Sequence, residues 1–168
     1  MTISESAIIS KTATISPLAR VGDRAIVGDR AIVGDWARVG DGARVGDWAS
    51  VGDWARIGAR ARVGARARVG DGARVGDGAR VGARARVGDG ARVGDGAILT
   101  FFPVGSRADT LTVYRSTGKH VGIFCSTGCQ VGVPIKAFRA MVRKTHKQNK
   151  YAKMYLALLT GAEKALVK

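Results

Sequence analysis

Four side chains in this sequence have the chemistry for catalysis or metal binding: His120, Cys125, Cys129 and His146. Imidazole and thiolate are the ligand types that zinc favours, and four of them would complete a closed site. Their spacing is loose. Cys125 and Cys129 are separated by three residues, and the histidines fall 5 residues before and 17 after the pair. The competing reading is two packed thiols and two ordinary surface or capping histidines. A nucleophilic Cys129 would need a partner base, and His146 is the one plausible base. No catalytic residue is assigned beyond that weak alternative, His146, and no cofactor is expected.

Arginine is the other chemistry-bearing residue type. The chain has 28 Lys+Arg against 13 Asp+Glu, a formal net charge of +15 over 168 residues. Residues 1–98 hold 16 basic against 11 acidic residues, whereas residues 99–168 hold 12 against 2. A tail more basic than the body points to an acidic partner, nucleic acid or another polyanion. No apolar run is long enough to span a membrane, and residues 1–20 lack the pattern of a secretory signal. The cytosol of a bacterium or of a phage-infected cell is the expected location, with both cysteines reduced there.

The element that must position these groups is a repeat. From Ile3 to Val93 an aliphatic residue falls on every sixth position, giving sixteen hexads, most of them Val-Gly-Asp-x-Ala-Arg or Val-Gly-Ala-Arg-Ala-Arg. A fixed period decides the fold before local propensity is considered. In Ala37-Arg38-Val39, strand alternation turns Ala37 and Val39 inward and Arg38 outward. The Gly-Asp or Gly-Ala pair that follows is expected to supply the bend, through glycine's conformational freedom. Three strand residues and three corner residues, repeated, must wind in one sense and stack each strand on the one a turn earlier.

The pattern aliphatic-Gly-x-x-small-x resembles the hexapeptide-repeat superfamily over about 60% of the chain, counted from the sequence. The resemblance implies a mainly β fold, a left-handed parallel β-helix with three hexads per coil and about five coils. It also implies side-by-side homotrimers. Eighteen residues per coil align Arg20, Arg38, Arg56, Arg74 and Arg92 in one outward column. A second column reads Ile8, Ile26, Arg44, Arg62, Arg80, Ile98, and a third Thr14, Ile32, Ser50, Arg68, Arg86. The first column is either a solvated face or a surface that binds phosphates. Outward Ile26, Ile32, Trp36, Trp48 and Trp54 are expected to mark a subunit interface.

Most enzymes of that superfamily are acyltransferases that use an acyl-CoA donor and a histidine on a coil or an extruded loop. Residues 1–98 contain no histidine and no insertion. The γ-type carbonic anhydrases need three zinc-binding histidines per site, and this chain has two histidines in total. The leading expectation is therefore a non-enzymatic structural or interaction protein. The alternatives are a binder of phosphate ligands or nucleic acid, and an atypical CoA-dependent acyltransferase.

Three segments follow: residues 1–98 as the β-helix, 99–133 as a capping hairpin segment, and 134–168 as basic C-terminal helices. Phe101, Phe102 and Val104 are suited to plugging the end of the prism. Alternation over Thr110–Ser116 and His120–Ser126 around Thr117-Gly118-Lys119 predicts a β-hairpin. After Pro134, which suits a first helical position, apolar residues recur at helical spacing. The polar side of that helix offers Lys136, Arg139, Arg143, Lys144 and Lys147 as further anion-binding candidates. The order Gly105-Ser106-Arg107, Thr112-Val113-Tyr114-Arg115, Gly128-Cys129, Thr145-His146 and Asn149-Lys150-Tyr151-Ala152 with Tyr155 resembles the C-terminal cap of uncharacterised phage and prophage hexapeptide-repeat proteins. Their cysteine pair is tighter than this one.

Overall fold

The computed structural model describes residues 2–104, 109–117, 121–127 and 130–166. Fifteen two-residue strands, β1 (Thr2–Ile3) through β15 (Arg86–Val87), recur every six residues. They stack in parallel with a register of eighteen, for example Arg20 opposite Arg38 and Val21 opposite Val39. The result is a left-handed parallel β-helix of about five coils with three faces. Its interior is filled by Ala and Val from successive hexads, and every inward residue from Ala19 to Val87 is buried. Each enclosed valine contributes about 1.5–3 kcal/mol relative to exposure, so a register slip would expose a whole column at once.

The corners differ from the sequence expectation. The left-handed backbone conformation lies two residues after the recurring glycine phase, not on it. Gly42, Gly72, Gly78 and Gly90 take it with φ of +64 to +67°, and so do Arg24, Arg30, Trp36, Trp48, Trp54, Arg60, Arg66 and Arg84 with φ of +53 to +60°. A non-glycine residue there costs roughly 1–2 kcal/mol. The glycine that follows each valine is required for a different reason, close stacking. A Cβ on Gly40 would sit 2.8 Å from the Ala59 nitrogen and from the Gly58 carbonyl carbon of the next coil.

The corner aspartates join coils together. Asp41 Oδ1 accepts the Asp23 N–H at 3.0 Å, Asp53 accepts from Asp35 at 2.7 Å, and Asp71 accepts from Asp53 at 2.9 Å. Such charge-assisted bonds are stronger than neutral ones, and here each ties one coil to the coil before it.

The repeat ends in a long strand, β16 (Arg92–Val104), which runs through position 98, where the repeat was expected to stop. Its start completes the first face in parallel register; its remainder pairs antiparallel with β17 (Asp109–Thr117). The predicted hairpin is present as β17 and β18 (Val121–Thr127), and β19 (Gln130–Pro134) adds a further antiparallel strand. One nine-stranded sheet thus carries the first face of the prism directly into the cap. The side chains of Phe101, Phe102 and Val104 fall outside the described residues.

Pro134 occupies the N-cap rather than the first turn of α1 (Ile135–His146). Asn149 Oδ1 accepts the N–H groups of Tyr151 at 3.0 Å and Ala152 at 3.1 Å, starting α2 (Lys150–Leu166). The helices pack through Phe138 on Tyr155, edge to face at 6.0 Å. No described helix is long and apolar enough to cross a membrane.

Candidate functional site

The last coil shows what the cap residues do. The N–H groups of each strand and of the glycine after it donate to carbonyls of the coil that follows, as Gly70 does to Val87. The final described coil has no such successor, and side chains of β17 take its place. Thr112 Oγ1 accepts the Arg86 N–H at 3.3 Å. The Tyr114 hydroxyl is hydrogen-bonded to the Gly88 backbone and to Ser126, and burial pushes its pKa up despite those bonds. Arg115 Nη1 donates to the Leu166 carbonyl at 3.3 Å. The Thr-Val-Tyr-Arg motif therefore closes the prism and anchors α2, and Asn149 starts that helix. These are structural tasks.

Of the four candidate chemical groups, Cys125 and His146 fall among the described residues. Cys125 is fully buried, and desolvation pushes its thiol up to about 12, so it is neither a ready nucleophile nor a ready metal ligand. His146 lies at the end of α1, stacked on Tyr155 at 5.7 Å and tilted against Tyr151 at 5.9 Å. His120 and Cys129 lie outside the described residues. Among the described residues no cluster of three or more metal-binding side chains occurs. A cleft of about 270 Å³ between the last coil and the hairpin is lined by Gly88, Asp89, Tyr114, Phe124 and Val131 among others; its one carboxylate, Asp89, accepts the Asp71 N–H at 3.1 Å.

The arginine column is assembled as the register requires. Arg20, Arg38, Arg56, Arg74 and Arg92 are paired in sequence up the first face, all exposed. Strand spacing places successive members ~4.8 Å apart at the backbone. The corner aspartates do not neutralise them. Among the described residues none of these five makes an ion pair, and the carboxylates are turned to backbone N–H groups instead. Like charges at that distance repel by about 1 kcal/mol per pair even in water. The imbalance is greatest high on the prism: residues 55–90 carry nine arginines and three aspartates, whereas residues 19–54 carry five and six.

The lower coils also carry the exposed apolar side chains of the prism. Ile32 is 52% exposed and Trp48 equally so, whereas Ile26 is half-buried rather than exposed. The Arg30 guanidinium lies 4.5 Å above the Trp48 ring. Trp36 and Trp54 stack with centroids 5.3 Å apart and planes 15° apart, at the corner before the arginine column. With Leu18 they wall a small groove whose other side is Arg20, Arg38 and Arg56.

On α1, Lys136, Arg143 and Lys144 are exposed, as is Lys147 at its C-cap. Arg139 departs from the expectation: its Nη2 is 2.8 Å from Glu163 Oε2, and both Nη atoms reach Thr160 Oγ1 at 3.3 Å. It clamps α1 to α2 and is not a free anion-binding group. Sequence reading missed it because Glu163 is remote in the chain and adjacent only through helix packing.

No protein-family model and no curated protein matches the sequence. Among solved structures, a variant perosamine N-acetyltransferase of Caulobacter crescentus, in complex with CoA and GDP-perosamine, is similar at 28% identity over 56% of this chain and 50% of that chain, with a TM-score of 0.46. A candidate acetyltransferase from Bacillus cereus is similar at 16% identity over 95% and 91% of the two chains, TM-score 0.45. The UDP-N-acetylglucosamine O-acyltransferase of Moraxella catarrhalis is similar at 16% identity over 60% and 71%, TM-score 0.30. The chain thus spans half the length of the first of these.

Proposed function

We propose that this β-helix is a binding module that holds a phosphate-bearing ligand along the arginine column of its first face. The observation that carries the reading is the unneutralised ladder, Arg20 to Arg92, repeated in register while the nearby aspartates serve the backbone. Five aligned guanidiniums repel one another until an anion lies among them, and Arg forms bidentate bonds with phosphate. The exposed bases of α1 add to the same positive field. In this reading the chain is non-enzymatic and of phage or prophage type, as the order of its tail motifs implies. Copies assemble as a homotrimer through the part of the third face around the exposed Ile32 and Trp48. Calorimetric titration with tripolyphosphate tests the binding: the full chain takes it up at low salt, and Arg38, Arg56 and Arg74 replaced together by Ser abolish uptake.

A second reading is the acyltransferase activity that the similar solved structures carry in their names. CoA is itself phosphate-bearing, so the ladder would serve it too. The base would then come from outside the coils, and His146 is the one candidate. Turnover of acetyl-CoA that is lost in His146→Gln supports this reading; CoA binding without turnover leaves the binding module.

A further inference from the structure

The tryptophan corner is an unfinished stack. Its column runs Leu18, Trp36, Trp54, Gly72, Gly90 up the prism, one residue per coil. Leu18 and Trp54 flank Trp36, but Trp54 has a neighbouring ring on one side only. Their exposures follow that order, 48% for Trp36 and 63% for Trp54. Above Trp54 stands Gly72, where an added Cβ would meet nothing within 4 Å. The next step of the stack is therefore open space of one coil's height, beside Arg56 and Arg74, which are register partners in the adjoining column. Trp54 also holds a left-handed backbone, φ 60°, that glycine adopts in the same column at Gly72 (φ +65°) and Gly90 (φ +64°). One face of the Trp54 ring is stacked on Trp36, and the other is left open.

We infer that Trp54 is a stacking platform for a nucleobase, with Arg56 and Arg74 receiving the phosphate attached to it. The inference rests on the phosphate-binding reading above and names the class of ligand. A base has the flat π-face that completes an aromatic stack, and base–aromatic stacking is tolerant of base identity. A phosphate joined to that base through its sugar meets guanidiniums on the strand next to the corner. The arrangement suits a single strand lying up the first face, or a free nucleotide held at one step. Trp48 belongs to another corner, packed with Arg30, and has no part in this site.

The test compares three ligands at low salt: dodecadeoxyadenylate, ATP and base-free tripolyphosphate. Binding is followed by tryptophan fluorescence and by calorimetry, with the full chain and with Trp54→Gly. That change installs the residue the column already uses at Gly72 and Gly90, so the fold is retained. The expected result is quenching by a base-bearing ligand and about tenfold weaker binding in Trp54→Gly. Tripolyphosphate affinity should be unchanged. Quenching by the oligonucleotide alone identifies a strand; equal quenching by ATP identifies a free nucleotide. Equal affinities of the two proteins for all three ligands overturn the platform and leave the arginine ladder standing. A Trp54-dependent change in oligomeric mass with no base effect also overturns it, in favour of a second copy. Binding of none of the three overturns both readings.

Discussion

Arg56 and Arg74 lie directly opposite one another in parallel register on the first face, and neither has a carboxylate within ion-pair distance among the described residues. Their repulsion is relieved by an anion placed between them. Adding tripolyphosphate at low ionic strength should therefore raise the thermal midpoint, by linkage worth about 2.7 kcal/mol at a hundredfold excess over Kd. In 1 M salt, where the Debye length is about 3 Å, the shift should nearly vanish. A differential scanning series over salt checks this; an equal shift at all salt concentrations would contradict it.

The two glycine roles separate by mutation. Gly40→Ala drives a methyl to within 2.8 Å of the next coil's backbone. It should cost at least about 1–3 kcal/mol, as overpacking does. Gly72→Ala meets no atom but must hold φ near +65°, costing about 1–2 kcal/mol. Trp36→Gly relieves such strain but forfeits the stack on Trp54. Urea midpoints rank the three, with Gly40→Ala the least stable.

These corners also show what was legible in the sequence and what was not. The hexad period gave the coils, the columns and the register, because one buried aliphatic per hexad leaves no other phase. The period did not reveal which corner residue carries positive φ, because glycine occurs at both positions. The continuation of the strand Arg92–Val104 into the cap was hidden by a change of pairing partner. So was the clamp of Arg139 on Glu163, which depends on two helices packing. Thr112, Tyr114 and Asn149 were visible as motif letters, but only the backbone N–H groups they bond in the fold show why those residue types are needed.

Burial of Cys125 gives a pH prediction with a definite sign. Its thiol is raised from 9.0 to about 12 in the folded protein. The native state therefore binds more protons at this thiol than the unfolded state between those values, so the Cys125 contribution to stability is constant below pH 9 and is lost as pH rises toward 12. Tyr114 is raised too, and adds to the same loss in the alkaline range. Cys125→Ala should flatten part of that slope in urea titrations, and iodoacetamide should label the wild-type thiol only on unfolding.

The helical clamp is worth a modest amount, because Glu163 is partly exposed. Glu163→Gln keeps shape and removes charge, and should cost about 0.5–1 kcal/mol. Arg139→Ala should cost somewhat more through lost packing. Neither change should alter anion affinity, since Arg139 is already engaged.

The proposed association of copies rests on the exposed Ile32 and Trp48 of the lower coils. Light scattering should give the mass of a trimer, and replacing Ile32 and Trp48 together by Ser should give a monomer with the same far-ultraviolet spectrum. A wild-type monomer would contradict this assembly.

Phosphate binding by the Arg20–Arg92 column, as proposed above, is read most directly from the salt dependence of oligonucleotide affinity. Each phosphate neutralised on a single strand contributes roughly −0.7 to the slope of log K against log salt. Replacing Arg38, Arg56 and Arg74 together by Ser should make the slope less negative by about 2 and weaken binding at low salt. An unchanged slope in that variant would contradict the account.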